Sequence, residues 1–178
     1  MLGNSLSAGF GLGPGEGWVA LLQQRLQRQG YGYRVVNASV SGETTTGALA
    51  RLPRAMELHR PAIVIIELGA NDGLRGLPLQ DLRARLVALI RKSQASGARV
   101  LLVGMRVPTN YGRAYADRFH ATYRELAAHE RVVFVPFLLE GIATRDDLFL
   151  DDRLHPNARA QPQLLDNIWV HLQTMLLR

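Results

Sequence analysis

With 178 residues, 47% of them hydrophobic, the chain has apolar content for a substantial core in a single domain over residues 1–178, without cross-linking staples. It has no cysteine, which excludes a disulfide framework and any thiolate metal site. The formal charge of +6 is dispersed, with Lys92 the single lysine and the arginines scattered among helical segments, so no clustered basic face points to nucleic acid; nor does any apolar run reach the roughly 20 residues of a bilayer span, and no stable membrane insertion is expected.

Trp18, Val19, Leu22 and Leu26 recur at helical spacing and Gly30 follows, which predicts an amphipathic helix from Trp18 to Gln29. Arg34 to Ala38 reads as a short extended run. Thr44 to His59 is helical in composition, with Leu49, Leu52 and Met56 in step. Pro53 is expected to kink or restart that helix, because it lacks an amide hydrogen and clashes with the preceding turn. Ala62 to Leu68 is apolar on both faces and rich in branched residues, as suits a strand buried between two helical layers. Leu79, Leu82, Leu86, Leu89 and Ile90 mark a helix ending near Gly97, and Val100 to Val103 is a second buried strand. A loop with Pro108 and Gly112 leads to a helix from Arg113 to His129, a strand at Val132 to Val135, and a last helix from about Ala158 to Leu177. Strands alternating with long helices imply parallel pairing through crossovers, hence a three-layer, doubly wound α/β fold.

In such folds ligands sit outside the carboxyl ends of the strands. Polar residues collect there in four blocks: Gly3-Asn4-Ser5-Leu6, Ser39-Val40-Ser41-Gly42-Glu43, Gly69-Ala70-Asn71-Asp72, and Asp151-Asp152-Arg153-Leu154-His155-Pro156. Each has an ordinary explanation alone. Gly-Asn-Ser and Asn71-Asp72-Gly73 are common turn sequences, Asp152 could cap a turn, His155 could be an ordered surface histidine, and Gly42 could serve backbone freedom only. Their order, and their joint placement at strand ends, favours chemistry. His59, His120, His129 and His171 fall on predicted helices or their ends without acids at ligand spacing, so neither a metal nor another cofactor is expected. Gly9-Phe10-Gly11-Leu12-Gly13 lacks the Lys-Ser/Thr ending of a phosphate cradle.

The four blocks, extended to Leu2 through Phe10, Asn37 through Gly42, Glu67 through Gly76 and Asp152 through Asn157, resemble those of the GDSL or SGNH hydrolases. The likeness is greatest to the bacterial multifunctional acyl-CoA thioesterase I, lysophospholipase and arylesterase branch. It implies a flavodoxin-like parallel sheet and a serine hydrolase that cleaves small acyl esters or thioesters through an acyl-Ser5 intermediate. Such chemistry needs a nucleophile, a base, a group that orients the base and donors for the oxyanion. Ser5, His155 and Asp152 fill the first three roles, and the backbone amides of Ser5 and Gly42 with the side-chain amide of Asn71 fill the fourth. Leu74, Gly76, Pro108, Asn110 and Tyr111 stand in segments similar to the loops that shape the acyl pocket of that branch. A carbohydrate O-acetyl esterase, or a ligand-binding protein of the same fold without activity, would carry much the same blocks.

Two features depart from the family pattern. Asn4 stands where the first block usually has aspartate, keeping its size but not its charge. Only four residues precede Ser5, too few for the family's usual first strand, so a shortened first strand and a native start upstream of Met1 are expected. Periplasmic localisation follows from the resemblance if an export signal precedes the given chain, which itself has no basic start followed by an apolar segment.

Overall fold

Four short aliphatic runs pair into one parallel sheet in the order β1 (Leu2–Gly3), β2 (Ile63–Glu67), β3 (Arg99–Val103), β4 (Val133–Val135). The structure is a computed structural model and describes residues 1–177; Arg178, the last residue of the proposed domain, lies outside the described residues. Leu2 stands opposite Ile66, Ile65 opposite Leu101, and Leu102 opposite Phe134. β2 and β3 are buried on both faces, and this explains why neither alternates between apolar and polar residues.

The run at Arg34 to Ala38 is extended but is not a regular strand. It nevertheless lies along β1: the Met1 amine donates to the Val36 carbonyl at 2.7 Å, the Ala38 amide to Met1 at 2.9 Å and the Val40 amide to Gly3 at 3.0 Å. Its first half is bound by a side chain instead, since Gln23 accepts from the Val35 amide at 2.6 Å and donates to the Tyr33 carbonyl at 3.2 Å. β1 is as short as expected, so it offers few ladder partners. β1 is therefore flanked by this extended stretch on one side and by β2 on the other. This is the reversal of a flavodoxin-like sheet, and it opens a crevice at the carboxyl ends of β1 and β2.

Helices cover both faces. α1 (Ser5–Ala8), α2 (Trp18–Arg28) and α7 (Gln161–Leu172) form one layer, and α3 (Thr45–His59), α5 (Leu79–Ala95) and α6 (Arg113–Glu130) form the other; α4 (Ala70–Leu74) is a single turn after β2. α2 buries Trp18, Val19, Leu22 and Leu26, and α5 buries Leu82, Leu86, Leu89 and Ile90, the apolar stripes read from the sequence. α3 runs unbroken through Pro53, so the helix does not restart there. Pro53 is exposed, so water can serve the carbonyl that its missing amide leaves free. The last helix is shorter than expected, running from Gln161 to Leu172 between 3-10 turns at Ala158–Ala160 and Gln173–Met175. Pro162 favours a start at this point, because a proline near a helix N-terminus forfeits no hydrogen bond.

The connection from β2 to α4 is tight. Gly69 has φ 104°, and a Cβ there would collide with the hydroxyl of fully buried Tyr123, which donates to the Leu68 carbonyl at 2.8 Å. Tyr123→Phe should lower stability by about 1–3 kcal/mol in denaturant titration, the cost of a buried carbonyl losing its donor. Gly69→Ala should cost more, because it adds backbone strain to the collision.

Candidate active site

The nucleophile candidate stands where β1 turns into α1. Asn4 is buried, and its Oδ1 accepts from the Leu6 amide at 2.9 Å, an N-cap that makes Ser5 the first residue of the helix. Ser5 is half-buried.

The partner loop arrives from the far end of the chain and is stapled several times. Phe149 and Pro156 form an antiparallel bridge, the Leu150 amide donates to the His155 carbonyl at 2.8 Å, and the Asn157 side chain donates to the carbonyls of Asp147 and Phe149 at 2.9 and 3.2 Å. Buried Gln161 ties this loop to α2: its amide nitrogen donates to Pro156 and Asn157 at 3.1 and 3.2 Å, while its oxygen accepts from the Trp18 amide at 3.0 Å. Arg153 sits within the loop at φ 55°, a left-handed conformation unusual for a residue with a side chain.

That turn brings Asp152 under His155. One carboxylate oxygen of Asp152 accepts from the amides of Leu154 and His155 at 2.9 and 3.0 Å, and the other lies 2.6 Å from Nδ1 of His155. Because the ionised carboxylate can only accept, Nδ1 carries the proton and Nε2 is left to receive one. Nε2 is 2.9 Å from Ser5 Oγ. Hydrogen bonding from the His155 amide first, then from its ring and the Leu154 amide, pulls the Asp152 carboxyl down to about 2. The ring of Phe10 packs on His155 with centroids 4.4 Å apart.

Asn71, in the first turn of α4, donates to the Glu43 carbonyl at 2.8 Å. Its neighbour Asp72 is buried and accepts from the backbone and hydroxyl of Thr45 at 3.0 and 2.5 Å, so the segment after β2 is bound to the start of α3. Gly42 lies in the turn just before, at φ 77°, with its carbonyl 3.5 Å from the Arg75 guanidinium.

Ser5, Asn71 and His155 line one cavity of about 270 Å³. Of the five residues expected to bind substrate, Leu74 and Pro108 line it as well. Gly76, at φ 63°, is exposed in the turn after α4, while Asn110 and Tyr111 belong to an exposed 3-10 turn; neither they nor Gly76 nor Gly42 line the cavity. Much of the remaining apolar wall, Met105, Leu139, Phe149 and Leu154, was not foreseen, because it comes from separate loops without periodicity. Glu67 was also missed as a polar group, being read as part of an apolar strand.

A family model for the GDSL-like lipase/acylhydrolase family matches residues 1–161. Over 176 residues the chain is 48% identical to esterase TesA of Pseudomonas aeruginosa, covering 99% of this chain and 88% of that one; the crystal structure of TesA superposes with a TM-score of 0.95 over 98% of this chain and 97% of its own. It is 40% identical, over 99% of its length and 83% of the relative's, to thioesterase 1/protease 1/lysophospholipase L1 of Escherichia coli. The psychrotrophic esterase EstA of Pseudoalteromonas, solved with monoethylphosphonate as inhibitor, is 40% identical with a TM-score of 0.93, covering 98% of this chain and 95% of that one. With the sheet, the order of the blocks and these likenesses in agreement, the chain belongs to the GDSL-like lipase/acylhydrolase family.

Proposed function

We propose that this protein is a single-domain serine ester hydrolase that cleaves acyl esters or thioesters through an acyl-Ser5 intermediate. The observation that carries this reading is the continuous relay from Asp152 Oδ2 to His155 Nδ1, at 2.6 Å, and from His155 Nε2 to Ser5 Oγ, at 2.9 Å, beside an apolar cavity. Ser5 Oγ attacks the acyl carbonyl as Nε2 takes its proton. The imidazolium then protonates the departing alcohol or thiol, and a water activated by the same nitrogen releases the acid. Asp152 keeps the ring in the tautomer that can accept. The Ser5 and Gly42 amides and the Asn71 side chain are the proposed oxyanion donors; the bond from Asn71 to Glu43 limits rotation of that amide.

Leu74, Pro108, Leu139 and Phe149 favour an acyl chain over a sugar in the cavity. The esterase, thioesterase and lysophospholipase names of the relatives agree with this choice. Small acyl esters and thioesters are then the ligands. Export to the periplasm belongs to the same reading and would be tested by fractionating the native host.

A panel of p-nitrophenyl esters, acyl-CoA thioesters and acetylated sugars should show turnover of the acyl substrates with a dependence on chain length. Preference for acetylated sugars would move the assignment to O-acetyl esterase. Ser5→Ala should reduce kcat at least about a thousandfold, and an organophosphonate should form an adduct on Ser5, as expected from the inhibited relative. A folded sample that takes no adduct and turns over no ester would instead be a binding protein. Asn71→Ala should lower kcat by about 100- to 1,000-fold.

Asp152 has a folded pKa below its free value, so its contribution to stability is complete above the free value and is lost progressively as pH falls from there through about 2. Carbon NMR of its carboxyl should therefore show no titration above about pH 4. Asp152→Asn should lower kcat about a thousandfold or more with KM little changed, because an amide can favour the wrong imidazole tautomer.

A further inference from the structure

Glu67 ends β2, is fully buried, and has no cationic partner among the described residues. A carboxylate in such a place has to be satisfied by hydrogen bonds. Its donors come from the nucleophile turn: Asn4 Nδ2 to Oε1 at 2.8 Å, the Asn4 amide to Oε2 at 3.3 Å, and Ser7 Oγ to Oε2 at 2.7 Å. Asn4 immediately precedes Ser5 and Ser7 follows it by two residues, so the carboxylate holds the turn on both sides of the hydroxyl. The fit is close, since a Cβ on Gly3 would stand 2.8 Å from Oε2 and 2.9 Å from Cβ of Ser7.

The pairing is also specific in the direction of its protons. Asn4 presents an N–H to Glu67 and turns its oxygen to the Leu6 amide. An aspartate at position 4 would set two carboxyl groups face to face and oblige them to share a proton. The nearby ionisable groups are engaged elsewhere: Tyr123 on α6 with Leu68, Asp72 on α4 with Thr45, the Met1 amine with Val36, and His155 with Asp152 and Ser5. Burial raises the Glu67 carboxyl to about 7, and the bonds from Ser7 and Asn4 oppose that rise.

We propose that Glu67 is a positioning residue for the nucleophile: its carboxylate clamps the Asn4–Ser7 turn that carries Ser5, and Asn4 is matched to it so that no shared proton is needed. The proposal rests on the reading of Ser5 as nucleophile. It singles out an exchange of chemistry between two positions. In Glu67→Gln, an amide faces the Asn4 amide and donor meets donor. In Asn4→Asp, acid meets acid. In Asn4→Asp combined with Glu67→Gln, the amide of residue 67 donates to the new carboxylate, while its oxygen still accepts from the residue 4 amide and from Ser7.

Wild type, both single variants and the double variant are to be compared for kcat, KM and pH profile on a p-nitrophenyl acyl ester and for the rate of labelling by a p-nitrophenyl phosphonate. Glu67→Gln should lower kcat and labelling together by roughly 10- to 100-fold at unchanged KM, the scale of a misaligned reacting group. Asn4→Asp should add a further ionisation to the kcat profile beyond those of wild type, with activity falling as the shared proton is lost at higher pH. The double variant should recover kcat to within a few-fold of wild type and lack the added ionisation. Wild-type rates and profile in Glu67→Gln, or a double variant no better than Glu67→Gln, would overturn the proposal. Should Glu67→Gln fail to fold, Ser7→Ala, which removes one donor only, must still lower kcat several-fold without moving KM; unchanged kcat there overturns it equally. A wild type that neither hydrolyses esters nor takes the phosphonate would bring down the esterase reading and this proposal together, whereas an active wild type with an ineffective exchange brings down this one alone.

Discussion

A carboxylate withdrawn from water must find donors that stay in place, and this constraint governs the carboxyl edge of the sheet. Glu67 gathers its donors from the turn after β1, and Asp72 gathers its own from the start of α3. Each acid links segments distant in sequence at the switch point where the sheet opens. The candidate serine and the candidate oxyanion amide of Asn71 stand next to these anchors, so polar groups that contribute little to the apolar core determine where the reactive groups point. Hydrophobic burial gathers the layers, but it has no direction; the buried acids supply one.

The elements easiest to read from sequence were those whose environment is uniform along their length. Ala62 to Leu68 and Val100 to Val103 are enclosed by helices on both sides and carry branched apolar residues almost without interruption, while α2 and α5 repeat their buried residues every third or fourth position. Pro53 does not interrupt α3, because the cost of a missing amide depends on whether the orphaned carbonyl meets water, which is a property of the helix face. Arg34 to Ala38 is extended but is bound partly by the Gln23 side chain, a contact with no signature in its own composition.

The site divides in the same way. The Asp152–His155 contact is local, spanning three residues, and its spacing could be read directly. The Ser5–His155 contact spans 150 residues and was legible only through the joint order of the blocks. The cavity wall was mostly hidden, as Leu139, Phe149 and Leu154 have no pattern that ties them to Leu74. Glu67 was hidden by its neighbours: five apolar residues before it, Ala62 to Ile66, and a leucine after it disguise an ionisable group bonded to the turn that carries Ser5.

The two halves of the candidate catalytic pair are supported unequally. Ser5 follows a sheet strand in a turn bonded to buried Glu67, whereas His155 rides on irregular chain fastened by Asn157, Gln161 and a left-handed Arg153. Segments of the second kind open locally at lower free energy than the sheet does. Separation of His155 from Ser5 is thus a smaller event than unfolding. On warming, the enzyme would fall silent while most of its helices and its sheet persist, and cooling would restore it without the slow work of refolding a core. The Gln161 bonds to Pro156 and Trp18 would set the temperature at which that silence begins.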